Sequence, residues 1–486
     1  MPCRVYSKTV SALFLLLFMC ACAASRHTTQ MHRVKAGFSG SAAATSGQDN
    51  YLRELEKKVY ASASAGKFKS HTDPVELLEL GAAYGYQGEF KKSNKVLEEA
   101  YRIYNAQEER AIVSLSAIST QIGEASISEG MGDYQLANYE KVLLHSLKAM
   151  NYLMQGDPAA ARVEIERAYI RQKLIRERSG MELAKAKASY DRTIQRAENA
   201  SRSRRGGVNL RNTFSPDTMI AEGRLSSRDM KMTQNLRSSY ENAFTEVLSS
   251  VVYGLNGELD NSLPPLRRAV EISNNPFVRR DKIRLEAIED GQPRAVKDNF
   301  YLFVFAGYAP EKRKQSIMLL NPWTGALNKV SYGKPVLQPS AVTRVDVLDA
   351  DGNRIDSAPL LSRVSALALK DYDEKLPIIA MKAMSRLIVQ SIKDYKLREN
   401  MGDLGSFLGS VINLVVENAD LRAWTLLPDK VLFYSGYIEK PRVTIIIQRR
   451  GAVEIFRGEV ARNPEKETVV FVRAWDNSAR IFHKDF

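Results

Sequence analysis

Cysteine is almost absent from this sequence, and what there is sits at one end. Cys3, Cys20 and Cys22 all fall within the first 22 of 486 residues, so the body of the chain has no disulfide and no thiolate metal site. Histidine is also scarce, with His27, His32, His71, His145 and His483 scattered along the chain. No HExxH pair occurs, which argues against a zincin-type zinc site. No Gly-rich phosphate loop with its Lys-Ser/Thr is found either. GFSGS at 37–41 is not GxSxG, because Gly40 follows the serine directly. DADGNR at 349–354 begins like a calcium loop, but Leu360 stands at the twelfth position, where a bidentate Glu is needed; a hairpin turn explains it better. Paired glycosidase carboxylates are set by spatial distance, and nothing in the sequence argues for them. No run of 18 apolar residues exists, so no membrane-spanning helix is expected.

The N-terminus carries the strongest signal. Arg4 and Lys8 precede an apolar run, Ala12 to Met19, that is shorter than the roughly 20 residues needed to cross a bilayer. Small residues follow, with Ala21 just before Cys22. This is the layout of an export signal, and it resembles the lipobox of bacterial lipoproteins. The expectation is therefore a signal peptide over residues 1–21 and a covalent lipid on Cys22. Cys22 would then be the one thiol of the mature chain. Ala23, rather than Asp, follows the cysteine, which implies the outer membrane facing the periplasm in a Gram-negative host. Residues 22–50 are rich in Ser, Ala, Gly and Thr and read as a flexible tether. The net charge of +14 falls to +12 without Arg4 and Lys8. In an exported protein that surplus does not point to nucleic acid, and a solvated basic surface is the simpler reading.

Residues 51–292 show apolar positions at three- and four-residue spacing, the helical period. Asp73-Pro74 reads as a helix cap followed by proline at the first helical position. Leu80, Gly81, Tyr84, Gly88, Phe90, Leu97 and Ala100 then match the large and small positions of the tetratricopeptide (TPR) helix–turn–helix repeat. Ala149, Tyr152, Gly156, Ala161, Ile165 and Ala168 repeat the pattern, as do Tyr253, Gly257, Leu266 and Ala269. The glycines lie 68 and 101 residues apart, close to two and three periods of about 34. Between the last two matches, residues 162–200 read as one long charged helix. Residues 201–235 read as irregular and basic, with Arg202, Arg204 and Arg205.

From 293 to 486 the signal becomes strand-rich. Candidate strands lie at 300–308, 315–320, 343–349, 431–438, 442–448, 452–460 and 467–475; the last four are spaced as antiparallel neighbours. Helical segments at 376–396 and 401–418 interrupt them, the second with Gly405 and Gly409 at close-packing spacing. The expected fold class is α+β in two parts: TPR-like helical repeats, then an antiparallel sheet or sandwich with two packed helices.

The parts together resemble a family of largely uncharacterised TPR-like bacterial lipoproteins. The resemblance rests on Tyr139, Glu140, Leu143, Ala149, Asn151, Tyr152, Gly156, Asp157, Ala161 and Glu164, then on Asn242, Phe244, Leu248, Gly254 and Gly257. Its most distinctive block is ADLRAWTLLP, with Asp420, Arg422, Trp424, Leu427 and Pro428. Members are often encoded beside lipoproteins that activate penicillin-binding proteins. The resemblance implies a scaffold that binds other envelope proteins in wall synthesis or outer-membrane assembly, with no catalytic residues to carry over and no cofactor beyond the lipid. The alternative is a peptidoglycan- or polysaccharide-binding protein or hydrolase. In the block itself, Asp420 and Arg422 could pair on a turn and Trp424 would bury beside Leu427. Pro428 would stop local pairing. The block would thus form a clasp between the helical part and the final strands.

Overall fold

The computed structural model describes residues 45–61, 66–117, 134–201, 209–292, 298–322, 325, 327–416 and 419–486; for 45–51, 111–117, 200–201 and 394–416 it describes the backbone alone. Cys22, the segment before it and Arg202, Arg204 and Arg205 lie outside these residues. The architecture is α+β, helices first and sheets after.

The helical part holds α1 (Thr45–Val59), α2 (Pro74–Tyr86), α3 (Phe90–Ala117), α4 (Asn138–Met154) and α5 (Pro158–Ser201). After them come α6 (Leu210–Thr213), α7 (Pro216–Gly223), α8 (Ser227–Thr233), α9 (Ala243–Leu255), α10 (Leu259–Ile272) and α11 (Pro276–Glu289). The first helix begins six residues inside the segment read as tether. Helices α2 and α3, α4 and α5, and α9 and α10 pack as three hairpins. Asp73 caps α2, its carboxylate accepting from the Val75 N–H at 3.1 Å with Pro74 as first helical residue. The stretch after 209, read from sequence as irregular, instead forms three short helices. Each is started by local capping chemistry rather than by a hydrophobic period: Asn209, Ser215 and Ser226 accept backbone N–H bonds at their N-termini.

The strands form three units. A five-stranded sheet has the order β11 (Ala479–Asp485), β10 (Thr468–Ala474), β1 (Phe300–Ala306), β7 (Lys430–Gly436), β6 (Leu360–Arg363). A four-stranded sheet has the order β5 (Arg354–Ser357), β4 (Val342–Leu348), β8 (Arg442–Arg449), β9 (Val453–Ala461). β2 (Glu311–Leu320) and β3 (Leu327–Val336) make a separate two-stranded ribbon. The expected run of four antiparallel neighbours is corrected here. β7 and β8 belong to different sheets, with Pro441 in the link between them. β10 pairs parallel with β1, Phe303 opposite Phe471. Only β8 and β9 pair directly with one another among those four. β1 and β10 are buried along their whole length, as suits strands covered on both faces. Phe244 of α9 stacks edge-on against Phe303 and Phe305, while Val345, Val347, Ile445 and Ile447 of the second sheet belong to the same core.

The two helices expected at 376–396 and 401–418 are one, α12 (Val364–Val416). No Gly or Pro occurs between Ser391 and Met401, so nothing in the sequence stops the helix there; Pro377 is accommodated within it. The packing of Gly405 and Gly409 lies outside the described residues. α12 crosses back onto the helical part. Its Leu369, Leu376, Met384 and Ile388 form a second core with Tyr190 and Ile194 of α5, Phe214, Met219, and Ile317, Val330 and Tyr332 of the ribbon. The 44-residue α5 links the two cores, and none of its residues from 176 to 185 is buried.

Candidate functional site

The repeat signal resolves into three matching turns. The Tyr84 carbonyl accepts from the Gln87 and Glu89 N–H groups, both at 3.0 Å, while Gly88 donates to Gly85. Tyr152 does the same for Gln155 and Asp157, and Tyr253 for Asn256 and Glu258. Gly88, Gly156 and Gly257 sit at φ +85°, +79° and +76°, a conformation in which a Cβ is strained. Inside the first hairpin, a Cβ on Gly81 would meet Leu97 Cδ2 at 2.5 Å, so the absent side chain is what lets α2 and α3 approach. Ala149 is fully buried and Tyr152 packs at the core edge. The Tyr84 hydroxyl donates to Glu56 and that of Tyr253 to Glu166, each tying a hairpin to a neighbouring helix.

The inner helices of these hairpins face the chain's own C-terminal part. α4 and α9 are buried on nearly every side, and residues 419–428 run across α2 and α4. Glu79, fully buried on α2, accepts from Thr425 N–H at 2.6 Å, Thr425 Oγ1 at 3.0 Å and Leu426 N–H at 3.0 Å. Glu140 on α4 accepts from the Trp424 N–H at 3.1 Å and the Tyr134 hydroxyl at 2.7 Å. The Tyr86 hydroxyl donates to the Leu426 carbonyl at 3.0 Å. Arg422 bonds Asp420 at 2.7 Å and also reaches Asp73, the cap of α2. Burial pushes Asp420 up, but the Arg422 hydrogen bonds and the Lys312 and Arg422 charges together hold the carboxyl below its usual range. For Asp73 burial wins over Arg422 and the carboxyl is raised. Trp424 and Leu427 are both buried, and β7 starts two residues after Pro428.

Sequence reasoning missed the anchors on the other side. Glu79 carries a signal, a carboxylate set between Leu78 and Leu80 in a helix whose one other charge is Glu76 in the first turn, that fits an internal partner. Arg473 on β10 carries none. It is fully buried, donates to the carbonyls of Phe305, Gly307 and Ala474, and lies within 4.7–5.3 Å of the Tyr86, Tyr308 and Trp475 rings. Aromatic faces and backbone oxygens thus solvate the cation.

Two further polar clusters are present. Between α3, α4 and α5, Glu164 accepts from His145 Nδ1 and Lys148 Nζ, both at 2.7 Å, and Arg167 joins Glu98 and Glu164. Burial lowers the His145 pKa against the opposing pull of Glu164, and the ring braces the hairpin through its 2.7 Å contact with that carboxylate. A small cleft between α9, α10, α11 and β1 is lined by Val247, Leu266, Asp281, Arg284, Asp298 and Tyr301. Burial pushes Asp281 up to about 6, opposed by the Ser435 hydroxyl, which donates to it at 2.6 Å. Arg280 donates to Asp298 at 3.1 Å, and Arg284 also pairs with Asp298. Among the described residues no three His, Cys, Asp or Glu side chains are grouped to hold a metal ion. Asp349 instead caps its own turn, accepting from the Asp351 and Asn353 N–H groups. No helix among those residues is long and apolar enough to cross a membrane. No protein-family model, curated protein or solved structure matches this chain.

Proposed function

We propose that this chain is a lipid-anchored envelope protein, held by Cys22 at the outer membrane and facing the periplasm, that binds other proteins in wall or outer-membrane assembly. Its three hairpins are degenerate TPR-like units, as the matching turns at Gly88, Gly156 and Gly257 support. A free solenoid would offer its inner surface to a partner. Here that surface is filled from within, so the partner-binding face is the outer one. The observation that carries this reading is α5. It exposes Val163 and Ile170 on the part packed against α4, and Met181 and Leu183 on the stretch between the two cores, each 44–54% accessible.

In-cell photo-crosslinking from Ile170 and Met181 should capture the same envelope protein, while crosslinkers at Asp351 in the Asp349 turn should not. Failure to recover a reproducible partner from α5 overturns the binding reading. Cys22→Ser should abolish fatty-acid labelling; retained labelling overturns the anchor. A second reading, action on peptidoglycan or another polysaccharide, draws on the buried carboxylates Asp281 and Asp298. Peptidoglycan fragments released by the wild type and not by Asp281→Asn would favour it.

A further inference from the structure

Helix α5 carries an outward line of apolar residues whose order is symmetric. Val163, Ile170 and Met181 are 51%, 54% and 51% exposed, and exposed Ala188 follows them. At about 100° per residue these four fall within about 20° of one another around the helix, and Leu183 lies off the line. The intervals between them are 7, 11 and 7 residues. The line therefore reads the same from either end, with its midpoint between Ile175 and Arg176. Half-buried Leu174 borders it close to that midpoint. Charge along one margin follows the same symmetry. Lys173 and Glu177 are exposed, lie on the same side of the line and form no ion pair among the described residues. To within one residue they are equally far from the midpoint. On the other margin Lys185 mirrors Arg167 in the same way, and Arg167 is already matched by Glu98 and Glu164 at 3.1 and 3.0 Å.

We infer that α5 pairs antiparallel with α5 of a second copy of this chain, about a two-fold axis through that midpoint. Turned about the axis, Ile170 lies level with Met181 of the second copy and Val163 with Ala188. The two Leu174 side chains stand about 4.5 Å apart along the helices. A two-fold interface needs such a self-complementary patch, in which residue i meets j and j meets i. The charges agree, because Lys173 meets Glu177 of the second copy twice in the pair. A partner of unrelated sequence gives the symmetry no reason. An anionic bilayer would be repelled by Glu166 and Glu177 beside the line. A strip about 38 Å long and about 10 Å wide covers about 400 Å² per copy, short of what holds a stable dimer in solution. Anchoring to one membrane raises the effective concentration of copies. The inference rests on the reading of α5 as a protein-binding face and names its first occupant. Pairing covers Ile170 and Met181, so another envelope protein must displace the second copy to reach them.

The test uses the lipidated full chain in vesicles of phosphatidylethanolamine and phosphatidylglycerol, where the lipid on Cys22 leaves introduced cysteines as the only thiols. Mild oxidation of Ile170→Cys mixed with Met181→Cys should link the two chains, and Leu174→Cys should link to itself. Ile170→Cys alone should give at least about tenfold less, because its two copies stand about 16 Å apart along the helices, beyond disulfide reach. Lys173→Glu places like charges opposite each other twice and should lower the 170–181 yield about fivefold or more. Adding Glu177→Lys should restore it. Equal yield from Ile170→Cys alone, no disulfide at all, or a charge swap that fails to restore the yield overturns the inference. So does quenching of a fluorophore at Met181→Cys by a lipid-borne quencher, which would assign the line to the bilayer. Capture of another envelope protein from Ile170 in cells, without any of these disulfides, overturns the pairing and leaves the binding reading standing; the disulfides without such capture do the reverse. A chain that washes off the vesicles refutes the anchor alone, and the same oxidation of the concentrated Cys22→Ser chain in solution then decides the pairing.

Discussion

Gly81→Ala sets two opposing effects against each other inside the first hairpin. Replacing a helix-interior glycine by alanine stabilises a helix by about 1 kcal/mol. Here the new methyl would meet Leu97 Cδ2 at 2.5 Å and Cγ at 2.6 Å. Leu97 is fully buried and has nowhere open to move. Overpacking of this kind costs about 1–3 kcal/mol, so the single variant should lose about 1 kcal/mol. Leu97→Ala alone should lose about 3 kcal/mol through lost burial and the cavity left behind. In the double variant the clash disappears, the helical gain remains and the methyl introduced at position 81 fills part of the cavity. It should therefore be more stable than Leu97→Ala alone, with a coupling energy of about −2 kcal/mol. Urea unfolding of all four proteins, followed by far-UV circular dichroism, closes the cycle. Additivity within about 0.5 kcal/mol would refute the claim that Gly81 is there to admit Leu97.

Glu79→Gln should destabilise the chain by about 2–3 kcal/mol, because the amide turns a donor toward N–H groups that now meet a carboxylate; a urea midpoint like that of the wild type would count against a stabilising role for the Glu79 contacts with residues 425 and 426. Asp281, pushed up to about 6 from an ordinary 3.8, holds its proton in the fold while ionised in the unfolded chain. Its contribution is therefore full below pH 3.8 and lost as the pH rises through about 6, and thermal midpoints of Asp281→Asn measured across that range should lack this slope. Arg473→Lys keeps the charge but loses the planar contact with three rings and at least one carbonyl bond; a loss of about 2 kcal/mol or more in guanidinium unfolding is expected.

Local chemistry was readable from the sequence where it is self-contained. Asp73-Pro74 marks a helix start. Gly88, Gly156 and Gly257 mark three turns, and the 162–200 pattern marks α5. The Asp351-Gly352 turn, with Gly352 at φ +82°, likewise needs no distant partner. What stayed hidden depends on pairing across the chain. β3 contains Gly333 and Pro335, residues that weaken a strand signal; the ribbon tolerates Pro335 because each of its strands has a free edge. The parallel union of β1 and β10 joins residues about 170 positions apart, and no local period records it. The same holds for the candidate site. Arg422, Trp424 and Pro428 stand out as a block, whereas the glutamates that receive the block lie some 280 to 350 residues earlier.

That separation sets an order of events during synthesis. At about 5–20 residues per second, α2 leaves the ribosome some 20–70 s before residues 419–428 do. Throughout that interval Glu79 has no Thr425 to bond and the five-stranded sheet over the inner helices lacks β7, β10 and β11. The helical hairpins are therefore born with an uncovered apolar face, and the last seventy residues close the fold rather than decorate it. Purified protein truncated before Ala419 should be cut readily by protease, and the complete chain should not.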